Sequence, residues 1–378
     1  MSAGGAAVGA EAIRVRVPFR RPIVTSVGSW SRRESWIIRI YDATGAVGVG
    51  EAALDIDAGE VAVSGLARLV GDTVDLVRGD HRLPTADEFE AAGAVGRALR
   101  CAFDSALLDL GMLQPTRIGV AAAPGAPRSV PVNATIGFRE VNETAAAARA
   151  AVAAGFGTLK LKAGPERDTR ALVERVAAVR EAVGPETRLR LDVNGAWDVV
   201  TARARIAAVA PYGLEYVEQP VAAGDPSDLA AVREGSPVPI AADEAVFSLA
   251  AACELLASRA ADVLVVKPAR VGGPSAAWEI AALAAALGVP VVVSSLFETG
   301  VGLAAALATA AGLPAVGRGA TEIAHGLATA ELAEADLLAR APRVVQGRMI
   351  VPQGPGLGIV LDEEALRRYA VEWLGRRP

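Results

Sequence analysis

The chain has 378 residues, a formal net charge of −5 and a pI near 5.4. This acidic balance argues against nucleic acid or an anionic membrane surface as a partner, because both attract basic proteins. The apolar stretches are short or broken by Gly and Pro, which argues against a membrane span. Two cysteines are too few for a disulfide framework. We therefore expect a cytoplasmic protein that acts on a small molecule, and the sequence leaves a homo-oligomer open.

The N-terminal region predicts an α+β domain. Residues 1–11 lack the basic start of a signal peptide and are expected to form a flexible tail. Residues 12–129 contain a few strand patterns, a hairpin turn at "DATG" (42–45) and a helical run at 85–113. We predict a capping domain over 12–129, with residues 340–378 packing onto it through a strand, a turn and a helix over 363–374.

From residue 130 onward, short β-branched runs alternate with alanine-rich helical stretches, which favours a parallel sheet. The positions that end successive strands, 162, 192, 218, 243 and 267, are regularly spaced. This spacing predicts a (β/α)7β TIM-like barrel over 130–339, with its active site at the carboxyl ends of the strands. The predicted strands are 130–138, 158–163, 188–195, 214–220, 238–244, 262–268, 289–295 and a weak 320–326.

Acidic residues end three successive predicted strands: Asp192, Glu218 and Asp243. In a barrel these carboxylates come within reach of one point. Hard oxygen ligands without nearby His or Cys suit Mg²⁺, with Mn²⁺ as the alternative ion. Each acid alone is more simply explained as a helix cap or the partner of an arginine, but their shared register favours a metal site.

Lysine is rare in this chain, which holds only Lys160, Lys162 and Lys267 among 38 basic residues. A lysine can be tuned to lose its proton, whereas an arginine cannot. Lys160 and Lys162 share one strand face, and Lys267 lies roughly across the barrel. Beside a divalent ion, such a lysine can remove a proton next to a carboxylate while the metal stabilises the enediolate charge. Glu298, just past the seventh strand, could orient Lys267 or be a solvated loop acid.

Several motifs stand along the chain: "GVGEAAL", "KLKAG", "DVNGAW", "VEQP", "KPARVGG" and "PGLGIVLD". Together they resemble the enolase superfamily, in its muconate lactonizing enzyme subgroup, and the resemblance covers nearly the whole chain. It implies that Lys162 is the main acid/base of a Lys-x-Lys pair and that Lys267 is the opposing lysine. The metal ligands it implies are Asp192, Glu218 and Asp243.

Within the subgroup, "PFRRPIVTSVGSWSRRESWIIRI" and "SSLFETGVGLAAAL" resemble the o-succinylbenzoate synthases of menaquinone biosynthesis. This likeness implies a carbon–oxygen lyase, in which α-proton abstraction from a carboxylate is followed by loss of water. Loop 25–30 is expected to close over the substrate, beside a second lid near 53–60. The expected substrate contacts are Asn194, Ser26, Trp30, Ser294 and Ser295.

The same residues permit other reactions. An N-acylamino acid racemase or dipeptide epimerase would use Lys162 and Lys267 on opposite faces of one carbon, and a muconate-type cycloisomerase is a third alternative. A Schiff-base aldolase could use Lys267, but the three carboxylates argue against it. A non-catalytic binding protein predicts that a motif residue is missing, and every one is present.

Overall fold

The computed structural model describes residues 7–25, 28–112, 128–314, 316 and 322–375. The N-terminal part contains an antiparallel sheet formed by β1 (Ala7–Thr25), β2 (Gly28–Asp42) and β3 (Val47–Ala52). Residues 7–11, expected to belong to a loose tail, lie in β1 instead. Backbone pairing explains this difference, since Ala10 is opposite Ile40 in β2 and is fully buried.

The hairpin between β2 and β3 confirms the turn predicted at "DATG". The carboxylate of Asp42 accepts hydrogen bonds from Thr44 N at 2.8 Å and Ala46 N at 2.9 Å. Gly45 has a φ of 84°, a left-handed conformation that glycine adopts without steric cost.

Three helices cover one face of this sheet: α1 (Glu60–Asp80), α2 (Ala86–Ala91) and α3 (Gly93–Asp109). Their apolar faces share a buried cluster with the sheet, to which Val70, Leu99 and Ile38 belong. Helix α3 lies so close to β3 that a Cβ on Gly50 would stand 1.9 Å from the carbonyl oxygen of Ala102. This contact requires glycine at position 50.

The second part is a parallel sheet of seven strands that lie side by side in chain order. Alternation along the strands fixes its two faces. Leu159, Leu161 and Leu191 point outward into the helix-packed core, whereas the residues between them point to the interior. The strands are β5 (Ala134–Ile136), β6 (Thr158–Lys162), β7 (Arg188–Asp192), β8 (Leu214–Glu218), β9 (Ile240–Ala242), β10 (Val263–Val266) and β11 (Val291–Val293).

Helices follow the strands along the chain. Several begin at a side-chain cap that accepts a backbone hydrogen bond, including Asp168, Asp198 and Ser248. None of the described helices is long and apolar enough to cross a membrane. They are α4 (Val141–Ala153), α5 (Thr169–Val183), α6 (Val199–Val209), α7 (Pro226–Arg233), α8 (Leu249–Ala257), α9 (Pro268–Val271), α10 (Pro274–Ala286) and α11 (Gly300–Ala311).

Two predicted strands differ from the structure. The strand predicted at 130–138 is divided, because β4 (Ser129–Pro131) pairs instead with β13 (Arg348–Ile350), which pairs in turn with β12 (Val344–Val345). The weak strand predicted at 320–326 is reduced to single parallel bridges from His325 to Val132 and from Gly326 to Ser294. Its first two residues lie outside the described part. These bridges connect the two edge regions of the seven-stranded sheet through residues 325–326.

The C-terminal segment corrects a further prediction. Helix α12 (Glu363–Tyr369) ends earlier than expected, and β14 (Ala370–Leu374) follows it. Strand β14 joins the edge of the N-terminal sheet, with Leu374 opposite Ala12, and the ladder hydrogen bonds outweigh the local helical pattern. The tail therefore packs on both parts of the molecule, since β12 and β13 associate with β4.

Candidate active site

The strand register brings the predicted catalytic residues together at the carboxyl ends of the parallel strands. Lys162 is opposite Asp192, and Asp192 is opposite Glu218. Asp243 and Lys267 follow directly after β9 and β10. The three carboxylates are at most 1% exposed, so they require partners.

Lys160 lies between two of these acids. Its Nζ is 2.9 Å from Asp192 Oδ2 and donates to Glu218 Oε1 at 2.8 Å. Burial favours the neutral amine, but the negative charges of Asp192 and Glu218 prevail and raise the pKa of Lys160 well above its ordinary value. Lys160 is therefore a permanent cation in this arrangement.

Lys162 occupies the more open position. Its Nζ donates to Asp192 Oδ2 at 2.7 Å and to Asn194 Oδ1 at 2.8 Å, while 31% of its side chain is exposed. Asn194 has a φ of 49° and donates from its Nδ2 to Glu244 Oε1 at 2.8 Å. The predicted residue Asn194 thus orients the lysine that small molecules can reach.

Lys267 lies at the far end of the carboxylate row. Its Nζ donates to Asp243 Oδ2 at 2.7 Å, and Arg270 Nη1 donates to the other oxygen of Asp243 at 2.8 Å. Although burial opposes ionisation of Asp243, these two cations lower its pKa to about 2. Arg270 also pairs with Asp55 in the loop after β3, at 2.7 Å, and thereby connects the N-terminal part to the site.

The donor set fits a hard divalent cation. Burial, together with the charges of Asp192 and Asp243, raises the pKa of Glu218 to about 8 even though Lys160 opposes this. The mutual repulsion of these buried carboxylates contributes to that raised pKa, and a divalent ion bound among them would relieve it. Within the described residues, no three Asp, Glu, His or Cys side chains are already arranged as a ligand set. The shared metal stays a prediction.

Two positioning residues were missed from the sequence, although both lie inside the quoted motifs. Arg270 is in "KPARVGG". Gln219, in "VEQP", has a φ of 40° and accepts from Asp243 N at 2.9 Å and Ala245 N at 3.2 Å. The role of Arg270 could have been inferred from its charge next to the strand-end acids. The contact of Gln219 with the segment after the next strand could not be inferred from the sequence.

The structure places Glu298 differently from its expected role. Its Oε2 accepts from Leu296 N at 2.6 Å, and the charged groups that act on its pKa are Glu51 and Arg33 in the N-terminal sheet. Lys267 is paired with Asp243 instead. The prediction that Glu298 orients Lys267 is therefore wrong, because its side chain turns toward the boundary between the two sheets.

The other residues expected to contact the substrate stay predictions, and the structure shows where three of them lie. Ser294 and Ser295 are each 6% exposed and bond within the protein, Ser294 Oγ to Gly326 O at 3.2 Å and Ser295 Oγ with Thr329 Oγ1 at 2.9 Å. Trp30 is partly exposed and borders a cavity beside the loop after β3. Ser26 lies outside the described residues.

The fold and this site define an α/β protein whose parallel strands end in a buried row of lysines and carboxylates. Residues 143–365 match the family described as enolase C-terminal domain-like. The chain belongs to this family, and the predicted resemblance to the enolase superfamily is confirmed.

Individual relatives have different activities. The chain is 47% identical to an o-succinylbenzoate synthase of Thermobifida fusca over 178 residues, which is 47% of this chain and about half (54%) of that relative. It is 32% identical to the L-Ala-D/L-Glu epimerase of Bacillus subtilis over 78% of this chain and 82% of the epimerase. A dipeptide epimerase from Enterococcus faecalis V583, solved with Mg and the dipeptide L-Leu-L-Tyr, superposes with a TM-score of 0.77 at 26% identity, covering 94% of this chain and 99% of that one.

Proposed function

We propose that the protein is a Mg²⁺-dependent lyase that removes the α-proton of a small carboxylate substrate and then eliminates water, as o-succinylbenzoate synthases of menaquinone biosynthesis do. The observation that carries this proposal is the placement of Lys162 and Lys267 at the two ends of one buried carboxylate row, on Asp192 and Asp243. We also propose that residues 130–339 form a (β/α)7β barrel closed through 325–326, capped by 12–129, and that the enzyme acts in the cytoplasm.

The carboxylates have a binding role. Asp192, Glu218 and Asp243 would hold Mg²⁺, which when bound supplies positive charge beside substrate oxygens that become negative as the proton leaves. Lys160, between Asp192 and Glu218, favours the ionised form of both acids and holds them in place. Gln219 holds the backbone of Asp243.

Lys162 has the contacts expected of the acid/base. Asp192 and Asn194 fix its Nζ, and its partial exposure lets a substrate carbon approach. After taking the α-proton, Lys162 can return it to the departing hydroxyl so that water leaves. Lys267, fixed by Asp243, keeps a positive charge on the opposite side of the enediolate.

A direct assay tests this function. The purified protein with Mg²⁺ and the cyclohexadiene precursor of o-succinylbenzoate should produce a new aromatic absorbance, and EDTA should abolish it. A full-length enzyme loaded with Mg²⁺ that leaves this precursor unchanged would exclude the lyase.

A second candidate is 1,1-proton transfer on an N-acylamino acid or a dipeptide. The placement of Lys162 and Lys267 at the two ends of the carboxylate row favours this reaction, because each lysine could exchange a proton with one face of the substrate carbon. The epimerase relative, which aligns over most of this chain, adds support. In D₂O, this reaction would exchange the α-hydrogen of an otherwise unchanged amino acid, while the lyase would generate the aromatic product.

A further inference from the structure

We propose that the chain binds a small monovalent anion, of the size of chloride, in a buried group of side chains between α5 and α6. This group, the arginine cluster, consists of Arg175, Arg205, Trp197 and Glu166. None of these residues takes part in the proposed chemistry, so the inference does not depend on the proposed function. It is carried by buried N–H groups without a partner and by an excess of positive charge.

Two guanidinium groups meet at Glu166, in the loop after β6. Arg175 extends from α5, and its Nη2 donates to Glu166 Oε1. Arg205 extends from α6, and its Nη2 donates to the backbone carbonyl oxygen of Glu166 at 3.3 Å. Because both guanidinium groups contact the same residue, they lie close to each other.

Each guanidinium also lies over an aromatic ring. The Cζ atom of Arg175 is 5.0 Å from the centroid of the Phe138 ring, and that of Arg205 is 5.3 Å from the centroid of the Trp197 ring. Ring faces attract the positive charge. They provide no anionic acceptor for the N–H groups, which therefore still need a partner.

Four buried nitrogen atoms of the arginine cluster have no hydrogen-bond partner among the described residues: Arg175 Nε and Nη1, Arg205 Nε and Trp197 Nε1. The three residues are 2%, 9% and 6% exposed, respectively. Buried N–H groups normally have a partner, because an unmade hydrogen bond leaves the desolvation of the group uncompensated. A spherical anion can accept from several such groups at once.

The charge balance favours an anion over a water molecule. The two guanidinium groups face one carboxylate, that of Glu166, whose Oε1 accepts from Arg175 and whose Oε2 accepts from Gly164 N at 2.7 Å. In the part of the chain that the structure describes, Arg205 forms no ion pair with an acid. A buried charge is costly unless an opposite charge compensates it, and water carries none.

Arg190 provides a contrast. This arginine is fully buried and lies over the ring of Tyr216 at 4.7 Å, much as Arg205 lies over that of Trp197. Its Nε, however, donates to Glu215 Oε2 at 2.6 Å, so its charge is balanced and one nitrogen, Nη2, has no partner. A stacked, buried arginine in this chain can thus have its own carboxylate, which Arg205 lacks among the described residues.

The position of the arginine cluster indicates what the anion would do. Glu166 lies in the loop that follows β6, and Trp197 lies in the loop that follows β7. The two loops are closely packed, since a Cβ on Gly164 would stand 2.9 Å from the Cβ of Ala196. An anion held between them would stabilise both loops, and the near-complete burial of its donors favours an ion as small as chloride.

Urea unfolding of the full-length protein in sodium chloride and in sodium gluconate, at equal ionic strength, tests the site. The midpoint should rise with chloride along a saturating curve, because an anion that binds only the folded chain shifts the folding equilibrium. Gluconate, a much larger anion, should lack this effect.

Trp197→Phe removes one unpartnered N–H and keeps most of the ring. It should raise the chloride concentration that gives half of the effect by roughly tenfold or more. Trp278→Phe is the matched control, because the Nε1 of Trp278 already donates to Thr309 O at 3.1 Å. This control should respond to chloride as the unmodified protein does.

The charge of the arginine cluster is tested separately. Arg205→Gln should abolish the saturating response, whereas Arg203→Gln, the same change at an exposed residue of α6, should retain it. A crystal grown in sodium bromide then locates the ion. Its anomalous peak should lie in contact with Arg175, Arg205 and Trp197.

Several results would overturn the proposal. They are equal midpoints in chloride and gluconate, an unchanged chloride response in Trp197→Phe or Arg205→Gln, and loss of the response in either control. Water alone in the arginine cluster, or bromide bound only elsewhere, would also refute it. Should Arg205→Gln fail to fold, Trp197→Phe and the bromide crystal decide.

Discussion

Lys160 and Lys162 both form an ion pair with one oxygen, Asp192 Oδ2, which is 2.9 Å from the Nζ of Lys160 and 2.7 Å from that of Lys162. Their environments nevertheless differ. The side chain of Lys160 is 9% exposed and that of Lys162 is 31% exposed. The inner lysine can compensate buried charge, and the outer one can reach a substrate, so their substitutions should have different effects.

Lys162→Ala should reduce turnover by roughly 10²–10⁴-fold, the range for losing a general acid/base. The fold should persist because Lys160 still compensates Asp192. Initial rates of aromatic product formation, or of α-hydrogen exchange in D₂O, measure the loss. Circular dichroism and Mg²⁺ binding serve as controls. Activity within a few-fold of the unmodified enzyme would refute the acid/base role of Lys162.

Lys160→Met should instead reduce stability, by about 3–5 kcal/mol, because it leaves Glu218 buried without a cation and Asp192 with Lys162 alone. Urea unfolding in the presence of EDTA measures this change, with Lys162→Ala as the matched control on the same strand. Mg²⁺ should restore part of the loss, since a divalent ion replaces the missing positive charge. Equal stability of Lys160→Met and Lys162→Ala in EDTA would contradict the different roles of Lys160 and Lys162.

Much of this cluster was predictable from strand geometry. The alternation of Lys160 and Lys162 and the regular spacing of the strand-end acids depend on local periodicity, which the sequence displays directly. Glu298 was predicted wrongly because its orientation depends on the packing of the N-terminal sheet against the loop before α11. Contacts between distant segments of this kind leave no periodic signal.

The C-terminal tail illustrates a similar limit. The pattern at 363–374 favours a helix, but Ala370–Leu374 gains more from pairing with β1 at the sheet edge. Pairing between residues near opposite ends of the chain cannot be inferred from a local window. Tertiary hydrogen bonding therefore overrides the helical preference there.

Lys267→Arg should also impair turnover severely, although the charge is retained. The Nζ of Lys267 fits Asp243 Oδ2, while Arg270 already occupies the other oxygen of that carboxylate. A second, larger guanidinium would compete for the same acid and displace the charge from the substrate. Steady-state kinetics should show a loss in kcat, and Arg270→Lys reports the effect of the reverse exchange. Near-normal kcat in Lys267→Arg would refute the requirement for an ammonium group.

Glu298→Gln should stabilise the protein at neutral pH. Burial, and then the charge of Glu51, raises the pKa of Glu298 to about 7 from an ordinary value of 4.5. For an acid with a raised pKa in the folded state, stability is lost as pH rises from 4.5 to 7, here on the order of 3 kcal/mol. Glu298→Gln lacks this loss. The unfolding free energy of the variant should therefore increasingly exceed that of the unmodified protein as pH rises through this interval. A difference in unfolding free energy that stays constant with pH would contradict the raised pKa of Glu298.

Glu51→Gln is the comparison for this prediction. The carboxylate of Glu51 accepts from Ser35 Oγ at 2.7 Å, Thr299 Oγ1 at 2.6 Å and Gly302 N at 2.9 Å. An amide would turn one acceptor into a donor against these groups, so Glu51→Gln should destabilise the protein at every pH. Glu298→Gln and Glu51→Gln should therefore change the unfolding free energy in opposite directions at neutral pH.

His325 should make the protein less stable in mild acid. Burial, reinforced by the charge of Arg190, lowers its pKa to about 3 from 6.5, and its Nδ1 accepts a hydrogen bond from Val293 N at 3.1 Å. Between these pKa values the unfolded chain binds more protons than the folded one, so stability falls as pH decreases below 6.5, by about 2 kcal/mol between pH 7 and pH 5. His325→Asn should remove this dependence. His81→Asn, at the exposed second histidine of the chain, should retain it. The same slope of unfolding free energy against pH in both variants would show that His325 is not its source.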